Sequence, residues 1–128
     1  MSKRLLIIED DEELCEEMAD ILRDKGYSVD VAFDGVIGDK ILSENQYDLI
    51  LLDIKIPGMN GLDVLRSAKA KRENLKVIIM SGRPLAKKRH TPERAPKKEE
   101  ETLSLADAFI NKPFDVEKVL SKIEELTG

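Results

Sequence analysis

Three carboxylates, one hydroxyl and one amine stand out because each follows a short apolar run. Leu5 to Ile8 leads into Glu9-Asp10-Asp11, Leu49 to Leu52 into Asp53, Val77 to Met80 into Ser81-Gly82, and Ala108 to Asn111 into Lys112-Pro113. Runs this short, bounded by turn residues, read as strands buried on both faces of a parallel sheet. In open parallel α/β sheets, ligands and chemistry gather beyond the carboxyl ends of the strands. Doubly wound connectivity places the first strand beside the third, so Glu9, Asp10 and Asp53 converge. Two carboxylates ~5 Å apart repel by roughly 3 kcal/mol at an effective dielectric of about 20, and three require compensation. A divalent cation and one lysine supply it. Hard oxygen ligands with several positions left to water describe a magnesium site. A carboxylate beside magnesium can accept a phosphoryl group, with Lys112 and the Ser81 hydroxyl taking up the remaining charge.

The segments between these runs must hold the groups in place, and most read as helices. Leu14, Met18, Ile21 and Leu22 fall at helical spacing, Asp11 is placed to cap that helix, and Gly26 stops it. The acids at its start suit the positive end of the helix dipole. Cys15 flanks the apolar stripe and is expected to pack there. Ser28 to Phe33 alternates around Val29 and Val31 as a strand. Val36 to Leu42 reads as a second helix, with Gly38 a weak point costing about 1 kcal/mol relative to Ala. A third helix after Gly61 turns Leu62, Leu65 and Ala68 inward, and Asp115 caps a last one striped by Val116, Val119, Leu120 and Ile123. The order βαβαβαβαβα predicts a doubly wound five-stranded parallel sheet.

From Pro84 to Pro96 the pattern breaks. Pro84, Pro92 and Pro96 forbid one continuous helix, and Lys87, Lys88, Arg89, His90 and Arg94 form a basic cluster. The fourth helix is expected to start only near Lys97 and to use Leu103, Leu105 and Ala106 as its inner face. His90, among prolines and charges, reads as a solvated loop residue, and the basic cluster as solvated surface.

Composition narrows the function classes. A chain of 128 residues fits a single domain spanning 1–128, and its 41% hydrophobic and 37% charged residues describe a globular protein with a heavily charged surface. No apolar run is long enough to span a bilayer, and Met-Ser-Lys-Arg leads into the first strand without a signal-peptide core. The single cysteine cannot form an internal disulfide, in keeping with a cytoplasmic setting. A net charge of -5 and the absence of tryptophan argue against direct nucleic-acid binding. No glycine-rich phosphate loop follows the first strand, which removes a nucleotide-binding reading.

Ile7-Ile8-Glu9-Asp10-Asp11, the loop from Asp53 to Gly61 with Pro57 in place, Met80-Ser81-Gly82 and Phe109-Ile110-Asn111-Lys112-Pro113-Phe114 together resemble the response-regulator receiver domains of two-component signalling. The resemblance covers nearly the whole chain and implies a flavodoxin-like (βα)5 fold, here with an elongated connection between the fourth strand and the fourth helix. It implies that Asp53 accepts a phosphoryl group from a histidine kinase or phosphotransferase. It implies that Asp10, Asp53 and the backbone carbonyl of Lys55 bind Mg2+, with Glu9 helping through water. Ser81 would hydrogen-bond the phosphoryl group and turn toward it, Lys112 would pair with it, and Phe109 would change rotamer with Ser81. Lys112-Pro113 would be a cis peptide, and partners would bind the face of the fourth and fifth helices.

Three features depart from the family pattern. Ser81 replaces the commoner threonine but keeps the hydroxyl. Lys55 and Arg83, each two residues beyond a site residue, would flank the path of attacking water and lengthen the life of an aspartyl phosphate. The Pro84 to Leu105 segment is longer than usual. Two other readings compete with a phosphorylation switch. A magnesium-dependent phosphohydrolase usually carries a second acid two residues after its nucleophile, where this chain has the cation Lys55. A degenerate receiver used only for docking would not need the full set of Glu9, Asp10, Asp53, Ser81 and Lys112.

Overall fold

Each apolar run forms a strand of one parallel sheet in the computed structural model, which describes residues 3–56, 58–81, 101–112 and 115–128. The strands are β1 (Arg4–Ile8), β2 (Ser28–Ala32), β3 (Leu49–Asp53), β4 (Lys76–Ser81) and β5 (Ala108–Asn111). They lie in the order β2-β1-β3-β4-β5, every pair parallel. β3 therefore sits at the centre, with β1 and β4 on either side, and its Leu49 to Leu52 are fully buried. This is the doubly wound sheet that the alternation of elements predicts.

The helices are α1 (Glu12–Asp24), α2 (Gly35–Glu44), α3 (Gly61–Lys71) and α4 (Val116–Thr127). The period-2 alternation of strand side chains divides the core in two. Leu5, Ile7, Leu49, Leu51, Ile78, Met80, Ala108 and Ile110 pack with α1 and α4, while Leu6, Ile8, Ile50, Leu52, Val77 and Ile79 pack with α2 and α3. Local chemistry sets the helix ends. Asp11 accepts from the Leu14 amide, Asp34 from Ile37, Asn60 from Leu62 and Asp115 from Glu117, each oxygen satisfying a first-turn donor. Gly26 stops α1 with φ +101°, a left-handed conformation that costs glycine no Cβ clash.

Several sequence expectations shift in detail. The inner stripe of α1 centres on Cys15, Met18, Ala19 and Leu22, with Leu14 and Ile21 only half-buried. Val64 joins Leu65 and Ala68 as the buried face of α3, in place of Leu62. Gly38 is not simply a weak point in α2. A Cβ there would lie 2.6 Å from Ile8 Cδ1, so the glycine lets helix and strand approach. Residues 101–103 are helical, but Thr102 is the buried residue and Leu105 is 39% exposed. The expected inner face of Leu103, Leu105 and Ala106 is thus wrong at Leu105, because the helix has already ended in a turn at 104–105. The start of that helix, the basic cluster, Arg83 and the Lys112-Pro113 peptide lie outside the described residues.

Candidate functional site

The carboxyl ends of β1, β3 and β5 bring the expected acids and amine together. Pairing runs one residue beyond two of these strands, since the Glu9 amide donates to Ala32 O and the Lys112 amide to Ser81 O. Strand parity therefore still applies at both residues. Glu9 continues the Leu5–Ile7 side of β1, Asp53 the Leu49–Leu51 side of β3, and Lys112 the Ala108–Ile110 side of β5. All three belong to the sheet face covered by α1 and α4. Lys112 Nζ donates to Glu9 Oε1 at 2.5 Å and to Asp53 Oδ2 at 3.1 Å, one cation shared by two buried carboxylates.

Backbone donors complete the cradle. The Lys55 amide donates to Asp53 Oδ1 at 2.9 Å and the Asp11 amide to Glu9 Oε2 at 3.1 Å. Both oxygens of Asp53 are thus held, one by a peptide N–H and one by an ammonium. Carboxylate oxygens of Glu9, Asp10 and Asp53 lie within 4.8 Å of one another, with Asp10 exposed at the mouth. This set fits a hard divalent cation. It offers only oxygen donors, it opens to solvent on one side, and its negative charge exceeds what Lys112 neutralises.

The electrostatics record that excess. Burial is the main force pushing the Glu9 carboxyl from 4.5 up to about 7; the bonds from Lys112 and the Asp11 amide pull it down, and Asp53 pushes it up again. Burial works against the charge on Lys112, but its bonds to Glu9 and Asp53 win and hold its pKa above the ordinary value. A buried carboxyl held near neutrality beside a second carboxylate is the signature of a site arranged for charge.

The remaining expected residues take separate places. Ser81 is buried at the end of β4, one step past the Asp53–Met80 pair. By parity it continues the Val77–Ile79 side of the sheet. Phe109, paired in register with Ile79, falls on the same side and is 39% exposed. The sheet thus separates the charged triad from the hydroxyl and the aromatic. The Lys55 side chain is exposed, and its contribution to Asp53 is its backbone. Cys15 is fully buried, burial pushes its thiol up to about 12, and it is a packing residue as expected. Two contacts escaped the sequence reading, the Lys55 amide on Asp53 and the Lys112 bond to Glu9. Strand parity was the signal that could have found the second.

Residues 5–124 match the response regulator receiver domain family. Among curated proteins, the chain is 36% identical over 121 residues to the transcriptional regulatory protein DltR of Streptococcus agalactiae, covering 94% of this chain and 50% of that one. It is 32% identical to the transcriptional regulatory protein TctD of Salmonella typhimurium, covering 96% and 51%. The chain therefore spans about half the length of these curated relatives. Among solved structures, a CheY-like receiver domain from Methanospirillum hungatei superposes with a TM-score of 0.84 at 30% identity, covering 99% of this chain and 94% of that one. The response regulator TrrA of Thermotoga maritima, solved with Mg2+ and a beryllium fluoride, gives 0.78 at 27% identity, covering 97% and 98%. Family, fold and acidic pocket agree: the chain belongs to the response-regulator receiver domains of two-component signalling, a phosphoacceptor family.

Proposed function

We propose that Asp53 is the phosphoacceptor, receiving its phosphoryl group from the phosphohistidine of a histidine kinase or phosphotransferase in the cytoplasm. A carboxylate oxygen of Asp53 bonds to phosphorus as the phosphorus–nitrogen bond breaks, and the departing imidazole keeps the bonding pair and later takes a proton from water. The observation that carries this reading is the treatment of Asp53 itself. It is 5% exposed at the end of the central strand, with Oδ1 on the Lys55 amide and Oδ2 on Lys112. A nucleophile fixed by two donors needs little reorganisation before in-line attack.

Asp10, Asp53 and the Lys55 carbonyl are the groups that would hold Mg2+, with Glu9 acting through water; the ion supplies charge neutralisation on the transferring oxygens. Lys112 already sits on Asp53 Oδ2 and would follow that charge onto the phosphoryl oxygens. The modification adds about -1.5 to -2 charges, which Ser81 would answer with its hydroxyl and Phe109 by a rotamer change on the same sheet face. A cleft of 570 Å3 lined by Phe109, Asp115, Lys118 and Ser121 lies where β5 meets α4 and would pass the change to a partner.

The test is incubation of the whole chain with Mg2+ and a small acyl phosphate, read by intact mass. The wild type gains one phosphoryl group and Asp53→Ala gains none. A wild type that gains nothing, or an Asp53→Ala variant that still does, overturns the assignment. Lys55 and Arg83 would slow hydrolysis of the adduct by flanking the path of water. Lys55→Ala and Arg83→Ala then shorten its half-life severalfold, and unchanged half-lives remove both from that role.

A further inference from the structure

The loop that carries Lys55 and Met59 packs closely against the start of α2. A Cβ built on Gly35, the first residue of α2, would lie 2.2 Å from the Met59 carbonyl oxygen, 2.9 Å from Met59 Cβ and 3.0 Å from Ile56 Cδ1. The first of these is a backbone atom and cannot swing aside. At the other end of the loop, a Cβ on Gly61 would lie 2.4 Å from the Ile54 carbonyl oxygen. A Cβ on Gly58, at φ +80°, would lie 3.2 Å from Val36 Cγ2. Loop residues 54–56 and 58–60 are thus pressed between the first turn of α2 and the first turn of α3. The Ile54 end is fixed further by its amide, which donates to Met80 O at 3.2 Å. A push at Met59 is therefore taken up between Lys55 and Met59.

We infer that Gly35 is a positioning residue for phosphoryl acceptance: its bare α-carbon sets the distance of α2 from the Met59 carbonyl and so fixes the Lys55 backbone that faces Asp53. This rests on the reading of Asp53 as acceptor. A methyl group at Gly35 displaces the Met59 carbonyl by about 1 Å from its 2.2 Å approach. Misplacement of that size in a supporting element can cost on the order of 100-fold in rate. The two groups at stake are the Lys55 N–H on Asp53 Oδ1 and the Lys55 carbonyl proposed as a cation ligand.

The experiment compares wild type, Gly35→Ala and Gly38→Ala on the full chain, by urea unfolding, by Mg2+ affinity in isothermal titration calorimetry, and by phosphorylation rate with an acyl phosphate at saturating Mg2+. Gly38→Ala is the matched control in the same helix, since its Cβ meets the Ile8 side chain and not the loop. Gly35→Ala lowers Mg2+ affinity at least tenfold and slows phosphorylation at saturating Mg2+, whereas Gly38→Ala changes only the unfolding midpoint. If Gly35→Ala shifts the midpoint and leaves both other readouts at wild-type values, α2 has yielded and not the loop, and the inference falls. A wild type that cannot be phosphorylated defeats the acceptor reading instead, while Mg2+ affinity still decides the clamp. Should Gly35→Ala not fold, Gly58→Ala is measured alone and with Val36→Ala. The strained φ remains in both, so recovery of Mg2+ affinity in the double variant supports the clamp and no recovery overturns it.

Discussion

Glu9→Gln tests the electrostatics of the site without disturbing its shape. Glutamine keeps the size of the side chain and an oxygen that can accept from Lys112, and it carries no charge at any pH. Its NH2 cannot accept from the Asp11 amide, a loss of about 1 kcal/mol that is the same at every pH. Glu9 is 1% exposed, and its carboxyl is raised from 4.5 to about 7, burial being the largest cause. Between those two pH values the folded chain retains a proton that the unfolded chain has lost, so wild-type stability falls as pH rises through the window. At about 1.4 kcal/mol per pH unit, the full rise corresponds to about 3 kcal/mol. Glutamine has no such dependence. In EDTA, Glu9→Gln is therefore more stable than wild type by about 2 kcal/mol at pH 8 and no more stable at pH 5.

Urea titrations followed by far-ultraviolet circular dichroism measure this, since the chain has no tryptophan. The same variant binds Mg2+ more weakly, because the charge that burdens the fold is the charge that attracts the ion. Saturating Mg2+ accordingly narrows the gap at pH 8. A Glu9→Gln variant no more stable than wild type at pH 8, or a gap of equal size at both pH values, refutes the reasoning.

Three further perturbations separate the site from its scaffold. Lys112→Met leaves Glu9 and Asp53 buried without their shared cation and lowers stability by about 3 kcal/mol at pH 8, less at pH 5 as Glu9 takes up a proton, by the same urea titration. Tyr47→Phe removes a 2.6 Å bond to Asp30 Oδ2 at the opposite end of the sheet and costs about 1 kcal/mol, with Mg2+ affinity unchanged in calorimetry. Gly26→Ala meets no atom within 4 Å yet must hold φ at +101°, so its cost of about 1 kcal/mol is conformational alone and shows as a lower unfolding midpoint at unchanged m-value.

β1, β3 and β4 were legible because burial on both faces leaves an apolar run, β2 because Val29 and Val31 alternate, and Glu9, Asp53 and Ser81 because each stands at the end of such a run. Among the three adjacent acids, the cap role of Asp11 was legible and holds, but the residues of the first run did not tell Glu9 from Asp10. Glu9 turns inward to Lys112, Asp10 stands exposed at the mouth, and Asp11 caps α1. The division follows from where the strand stops. Glu9 still pairs as a strand residue through its amide to Ala32 O, whereas Asp11 adopts the extended cap conformation that receives the Leu14 amide. Gly35 was invisible for a different reason. Its role depends on a backbone carbonyl of another segment, and no property of its neighbours in sequence reports that approach.

Parity gives the site a direction as well as a location. The charged triad of Glu9, Asp53 and Lys112 belongs to the face packed by α1 and α4, and Ser81 and Phe109 to the face packed by α2 and α3. A phosphoryl group on Asp53 stands beyond the strand ends, where groups from both faces can reach it. On the proposed reading, Lys112 would meet it from one face and Ser81 from the other, so that a charge at the rim would bear on both faces of the sheet. Phe109 lies on the Ser81 side and borders the cleft beside α4. The same side receives residues 102–107, which lead into β5, since Arg66 of α3 donates to Thr102 at 3.0 Å and Lys69 pairs with Asp107 at 2.8 Å. Those contacts tie residues 102–107 to α3, whose first turn begins at the Gly61 end of the loop after β3. Contacts thus join the loop after β3, α3 and residues 102–107, from the Asp53 end of the sheet to the start of β5, and Gly35 of α2 abuts that loop at Met59.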